Sequence, residues 1–529
     1  MEREEDRIDR LAAASLGLAL FAMTPSSGTA ISGVRLLALL LVMVSASVAI
    51  HGYHYGIEDE AVYLPAIKAH LNPALYPHDA IFFQAQAKAT LFDELVAASS
   101  RLLHLTADWT VFGYYLGTLL AFYAALWAFT ARLFPGSRER LGGVLLVAAL
   151  LTLPVAGTCI FIVDQHLHPR TLATALILLA AAKLAPRSWG EAVRAREYAW
   201  AALLMLGAAL MHIQMAFYGL LFLALLLLPL SLGRWLVPLA GIAPLLLAAL
   251  MQKGSAAWQE ASRTRTQHYL LQWEWYEWLG AIAPIFLLWS MARLARWRGF
   301  SAASAVSVRT ALLAACGVVA GLVITIPPQM ERLTPYQPLR TLHLTYIVML
   351  LLIGGMLADF VLKQKSWRWT ALLLPIAAGM SFAQFDSFPD SHHVEWPGRA
   401  VGNAWVEAFD WVKANTPVNA YFVLDPHYMS SEGEDFHGFR GLAERGQMAD
   451  WDKDPGVVLL FPELAPRWWR EVHALDNWKN FTAEDFHRLH EQFGVGWTVL
   501  ALPGKGTSQI TLLSDCPYRN HSVEVCRIK

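Results

Sequence analysis

Three consecutive carboxylates, Glu58, Asp59 and Glu60, lie in HGYHYGIEDEAVYLPAIKAHLNPALYPHD (residues 51–79), directly after the first long apolar run. A carboxylate at the mouth of a membrane cavity can take the proton from an acceptor hydroxyl while a lipid-phosphate donor is held nearby, which is general-base chemistry. The same acids also suit the N-terminus of a helix beginning near residue 60, where free amides and the helix dipole favour negative charge. On the residues alone the helix-terminus reading is the stronger of the two, and they are compatible. A second set is Asp164-Gln165-His166-Leu167-His168-Pro169-Arg170, between two apolar runs. Polar side chains at membrane depth persist only where they meet water, protein or a substrate. Arg170 is a donor suited to phosphate, with Pro169 fixing the turn. His166 and His168 beside Asp164 have the donor types for a divalent cation, but a hydrogen-bonded turn capping the flanking runs is the preferred reading, and no cofactor is assigned. His212 and Gln214 interrupt the apolar sequence further on, either at the interface or lining a cavity. Arg340, in Gln337-Pro338-Leu339-Arg340, either snorkels to lipid headgroups or grips a phosphate with its planar donor fork. His54, in the acidic loop, completes the substrate-binding candidates.

These residues need a membrane scaffold to hold them. The chain has 529 residues, 56% hydrophobic and 16% charged, against about 25% charged in soluble globular chains. Its charges are bunched, and the intervals of about 20 apolar residues match the thickness of a bilayer crossed by a helix. Spans are expected near 31–50, 110–131, 141–162, 171–185, 199–211, 215–232, 235–251, 277–292, 310–327, 341–360 and 370–385, eleven transmembrane helices in all. Residues 1–30 form an N-terminal segment, and 31–390 a transmembrane domain with a loop at 52–108. Within that loop, residues 59–71 and 90–105 have helical spacing and suit helices lying flat at the interface. Trp109, Trp258, Trp273, Trp275 and Trp278 stand where an aromatic belt would.

Alternate connections carry 18 and 9 Lys/Arg respectively, and the richer set includes the N-terminus. The positive-inside rule therefore puts the N-terminus in the cytoplasm and loop 52–108 outside, together with residues 391–529. MEREEDRIDR is too acidic for a signal-peptide n-region, and the run 11–23 reads as an interfacial or cytosolic helix. Residues 391–529 hold 19 acids and 13 Lys/Arg, a net of −6, so the remainder carries +5. No clustered basic face exists to bind a nucleic acid.

After Asp390 the pattern becomes that of a soluble α/β domain. It predicts helices at 400–414, 462–475 and 482–493, the last with a Thr482/Asp485 capping signal, and strands at 420–424, 494–502, 509–513 and 522–528 around a turn at 504–508. Cys159 and Cys316 read as packing residues of apolar spans. Cys516 and Cys526 bracket CPYRNHSVEVC and suit a disulfide in a non-cytosolic domain. His392, His393 and Glu395 read as chance composition, and Asp425, Glu432, Glu434 and Asp435 as a solvated acidic loop. Trp468-Trp469 reads as packing for its own helix.

An acidic, aromatic- and histidine-rich outward loop after the first span, a multi-span body and an outward C-terminal α/β domain together resemble the GT-C class of membrane glycosyltransferases. The pieces IEDEAVYLPAIKAHLNPALYPHD, QPLRTLHL and FDWVKANTPVNAYFVLDP are also similar to uncharacterised bacterial membrane proteins thought to share that fold. The resemblance is topological over roughly 31–390. It implies a polyprenyl-phosphate-linked sugar as donor, an extracytoplasmic acceptor, membrane lipids as surroundings and the bacterial cytoplasmic membrane as location. It also implies a catalytic base just after the first span, which matches Asp59 first and Glu58 second, and a basic residue on donor phosphate, which matches Arg340. A transporter or flippase of a lipid-linked solute, and a non-catalytic membrane assembly or binding protein, are the alternatives. Ionisable residues are nearly absent from the middle of the spans, which weighs against ion-coupled transport.

Overall fold

A computed structural model describes residues 33–185, 193–249, 253–325, 328–502 and 513–528. The N-terminal segment 1–30 with its helix at 11–23, the turn at 504–508 and most of the strand at 509–513 lie outside the described residues. The protein is helical, with a small C-terminal sheet. It divides into two compact units, one of residues 1–52, 115–253 and 266–384, the other of 53–114, 254–265 and 385–529. Loop 53–114 thus belongs to the same unit as the C-terminal residues.

In the first unit the apolar runs fold as helices because continuous Leu, Ala and Val leave the backbone no partners but its own. Among the described residues, five helices are long and apolar enough to cross a membrane: Gly33–His51, Ala107–Leu133, Trp275–Trp297, Ser301–Thr325 and Met330–Leu362. The other six expected spans also contain helices, but these do not meet both the length and the apolarity of a crossing, so the structure does not establish eleven crossings.

The expected span 141–162 is not continuous. Its helix, Ser137–Ala149, stops at a C-cap on Leu150, and residues 150–168 are irregular. Pro154 explains the stop: it has no amide hydrogen to donate and biases Leu153 away from helical geometry. Ala156 and Cys159 then take left-handed backbone conformations in the turn that follows. Cys159 is consequently exposed, not a packing residue of a span.

Two diglycines set one close helix pair. Cβ atoms on Gly142 or Gly143 would collide with the backbone carbonyls of Gly354 and Leu351, and one on Gly354 with that of Gly142. Helices Ser137–Ala149 and Thr341–Leu357 therefore touch backbone to backbone, the arrangement small residues permit in apolar surroundings.

In the second unit, helices Glu60–Leu71 and Phe92–Leu103 occupy the expected interfacial stretches. The sheet has the order β2-β1-β3-β5-β4, with β1 Tyr421–Val423, β2 Gly446–Gln447, β3 Trp497–Ala501, β4 Tyr518–Arg519 and β5 Val523–Arg527. β1 runs parallel to β2 and β3, while β5 is antiparallel to β3 and β4. Helix Ala483–Phe493 carries the full Thr482/Asp485 capping box. Cys516 and Cys526 form a disulfide beside the edge of the sheet. Trp258, expected in an aromatic belt, is instead buried in a core with Phe82, Val458 and Trp468. Its indole N–H donates to the carbonyl of Leu459 at 3.3 Å.

The diglycine contact makes a sharp prediction. Gly354→Leu places carbon against a backbone that cannot yield, at a cost of about 1–3 kcal/mol, and should lower the melting temperature of the detergent-solubilised protein. Gly379, with nothing within 4 Å of an added Cβ, is the control. Equal melting of Gly354→Leu and Gly379→Ala would refute the close packing.

Candidate functional site

The acidic triplet is built by a tight turn. Gly56 and Glu58 both take left-handed conformations, at φ +79° and +50°, the second of which a non-glycine residue adopts only at a cost of about 1–3 kcal/mol. The turn is held from the C-terminal part of the chain: the Glu58 amide donates to the Phe436 carbonyl at 2.9 Å, and that of Gly438 to the Gly56 carbonyl at 2.8 Å. Glu60 is buried, and its carboxylate accepts from the Gly56 amide at 2.6 Å, so it closes the turn at the helix start. Glu58 and Asp59, by contrast, keep 37% and 43% of their side-chain surface exposed.

Both face one half-buried cation. The Lys453 ammonium pairs with Glu58 and lies 3.5 Å from Asp59 Oδ1. Burial alone would depress the Lys453 pKa, but Glu58 and Asp59 outweigh it and raise it, so the lysine stays charged. Arg265 donates to the Lys453 carbonyl at 3.1 Å and feels the charges of Asp59, Asp450, Asp452 and Glu58. Asp452 is a further carboxylate here. Burial, with Asp450 adding to it, pushes its pKa up to about 7, the range in which a carboxylate serves best as a base. Nothing in the spacing of Lys453, Arg265 or Asp452 singled them out; the only local signal was the charge density of Asp450-Trp451-Asp452-Lys453-Asp454.

His54 is fully buried in this unit. Its Nδ1 sits 2.8 Å from Glu395, and His437 Nε2 lies 3.2 Å from the same oxygen. The other Glu395 oxygen accepts from the Tyr55 amide at 2.9 Å. Glu395, read from sequence as chance composition, is thus the centre of a buried cluster. The acidic loop after Asp425 is likewise not all solvated: Glu434 is fully buried and Asp435 nearly so. Desolvation, reinforced by Asp435, raises the Glu434 pKa well above the usual carboxylate range.

In the first unit, the residues singled out at 164–170 and 212–214 share one mode of construction. His168 caps helix Pro169–Leu184, its Nδ1 accepting from the Arg170 amide at 2.9 Å. His212 caps helix Ile213–Leu227 in the same way, accepting from the Met215 amide at 3.3 Å. An imidazole that accepts at Nδ1 carries its proton on Nε2. The two rings stack with centroids 5.8 Å apart, and His166 lies 6.1 Å from His168. One Arg170 nitrogen reaches both Asp164 oxygens at 2.8 and 2.7 Å. Burial works to raise the Asp164 carboxyl, but Arg170, His168 and His166 prevail and hold it at about 2.

Gln214 donates to the carbonyls of Pro335 and Tyr336 at 3.0 and 3.1 Å, and Tyr218 also donates to Tyr336. These bonds fix the turn that leads to the half-buried Arg340. Arg170, Asp164 and Arg340 all lie within electrostatic reach of His343. The 164–170 turn, His212, Gln214 and the 335–340 turn thus come together in this unit. Asp164 and His168 are already engaged as turn and cap. Among the described residues, the one set of three metal-type ligands with atoms within 4.8 Å is Cys516, Glu524 and Cys526, and its sulfurs are joined in the disulfide.

The Glu395 cluster predicts a pH window. Burial opposes the His437 charge, but Glu395 raises its pKa above the ordinary 6.5. That contribution to stability is complete below pH 6.5 and is lost as pH rises through the raised value. Burial works to raise Glu395 as well, but the two histidines hold it at about 2 against an ordinary 4.5, so its contribution is present above 4.5 and lost as pH falls towards 2. The pair should therefore stabilise most between about 4.5 and 6.5. Melting measured across pH should show Glu395→Gln losing most in that window, and a uniform loss at every pH would count against the charge pairing.

No family model and no curated protein matches this chain. Among solved structures it is similar to the archaeal oligosaccharyltransferase AglB from Archaeoglobus fulgidus, solved in complex with an inhibitory peptide and a dolichol-phosphate. The two are 13% identical, with a TM-score of 0.45, and the match covers 88% of this chain and 69% of that chain.

Proposed function

We propose that the chain is a membrane glycosyltransferase that moves a sugar from a polyprenyl-phosphate-type donor to an extracytoplasmic acceptor. Asp59 is the general base and Glu58 its neighbour in the same turn. Arg340, Arg170, His166, His168, His212 and Gln214 serve the donor, with the arginines directed at its phosphate. His54 acts on the turn through Glu395. The protein resides in the bacterial cytoplasmic membrane with its N-terminus inside, a transmembrane domain at 31–390, and residues 391–529 facing outward with loop 52–108.

The observation that carries this reading is the half-exposed Glu58–Asp59 pair, held on a left-handed turn against the half-buried Lys453 ammonium. A helix needing only acids at its N-terminus has no use for a strained turn set against a counter-ion, whereas a carboxylate acting as base is favoured in its charged form by one. A hydroxyl brought to Asp59 would lose its proton to the carboxylate as it attacks the sugar carbon, and the lipid phosphate would leave with the bonding electrons.

Transfer from a polyprenyl-phosphate sugar, assayed in membranes, tests the assignment. Asp59→Asn should lower the rate by about 100-fold or more, with Glu58→Gln less damaging. Transfer persisting in both variants would exclude the turn as the source of the base. Lys453→Met removes the cation that pairs with Glu58 and lies 3.5 Å from Asp59, so it should lower the transfer rate while the protein still inserts and folds. An unchanged rate would detach Lys453 from the chemistry.

A further inference from the structure

The second unit contains a cavity of about 780 Å³ that the acidic turn does not line, within the roughly 300–1,000 Å³ typical of small-molecule sites. Its walls come from helix Glu60–Leu71, the start of helix Ala107–Leu133, the segment 395–401 and helix Ala404–Asn415, closed by Leu442 and Glu444.

Apart from Arg399 and Asp410, the charged side chains on its wall are already engaged with other protein groups. Lys68 and Lys413 both pair with Glu444 Oε1, at 2.9 and 2.8 Å. Asp108 accepts from the Thr106 hydroxyl, and Glu395 is held by His54 and His437. A strongly charged ligand would have to break such pairs, whereas hydroxyl groups can donate to these carboxylates and accept from these ammonium groups without displacing either.

Two aromatic residues complete the wall. Trp396, 45% exposed, is braced edge-to-face by Phe112 at 5.5 Å, and Phe112 is in turn packed on Tyr53 at 4.9 Å. Its indole therefore stands as a fixed apolar platform. The Tyr55 hydroxyl is buried and has no hydrogen-bond partner among the described residues, a donor that an incoming hydroxyl would satisfy.

We propose that this cavity binds a neutral carbohydrate, with Trp396 under the apolar face of a sugar ring and Tyr55, Lys68 and Glu444 on its hydroxyls. This goes beyond sugar transfer, since binding here requires neither a donor lipid nor turnover.

The test is capture of the full-length, detergent-solubilised protein on an array of immobilised neutral and anionic glycans. At least one neutral glycan should be captured. Trp396→Ala should weaken its capture by about tenfold or more, and Tyr55→Phe by about three- to tenfold. The melting temperatures of both variants should match the wild type, because one removes an exposed ring and the other a single oxygen. Absence of neutral-glycan capture by the wild type, capture confined to anionic glycans, or capture undiminished in both variants would overturn the proposal. Capture is read without transfer, so its failure and that of the Asp59 assignment are separate results.

Discussion

Lys453 is 14% exposed at its side chain and surrounded by carboxylates. An ammonium taken out of water without a partner costs several kcal/mol, so the lysine and the two acids must be brought together, although Glu58 lies 395 positions away. Much of the second unit follows from that requirement. The turn at 56–58 is bonded to the backbone of 436–438, Glu60 closes it from within, and the left-handed conformation of Glu58 is tolerated because these bonds over-determine it. Glu395 adds a second tie, joining His54 and the Tyr55 amide to His437. The two acids are thereby held half-open at one place, against the Lys453 ammonium.

The first unit solves a different problem with the same economy of polar groups. Each break between its helices leaves amides and carbonyls that a bilayer cannot satisfy. His168 and His212 supply acceptors at two such breaks. Gln214 and Tyr218 supply donors to the carbonyls at 335 and 336. The residues that finish the helices are therefore the same ones that the proposed function assigns to the donor, which explains why polar side chains gather at these breaks.

The parts of this organisation that could be read in the sequence were the local ones. Apolar runs placed most of the helices to within a few residues, and Thr482 with Asp485 marked the start of the last one because a capping box is a contact across three residues. The histidines at 166, 168 and 212 stood out because polar groups are rare among apolar runs. What escaped was set by contacts distant in sequence. Lys453, Arg265 and Asp452 look like ordinary surface charges until folding sets them against the acidic turn. Glu395 looked incidental for the same reason, and Trp258 looked interfacial because aromatic residues serve belts and cores alike. The break after Ala149 was marked by Pro154, but the surrounding leucines and valines masked it. β2 and β4, two residues each, are too short for any periodicity to show.

In the proposed transfer, the acids of the turn at 58–59 serve as proton acceptor and the arginines as the grip on the donor. Removing the base should stop turnover without removing the donor's binding groups. Lipid extracted from purified Asp59→Asn protein and identified by mass spectrometry measures this directly. A polyprenyl-phosphate-linked sugar enriched in the variant over the wild type is the predicted result, and extracts of both holding only bulk phospholipid would contradict it.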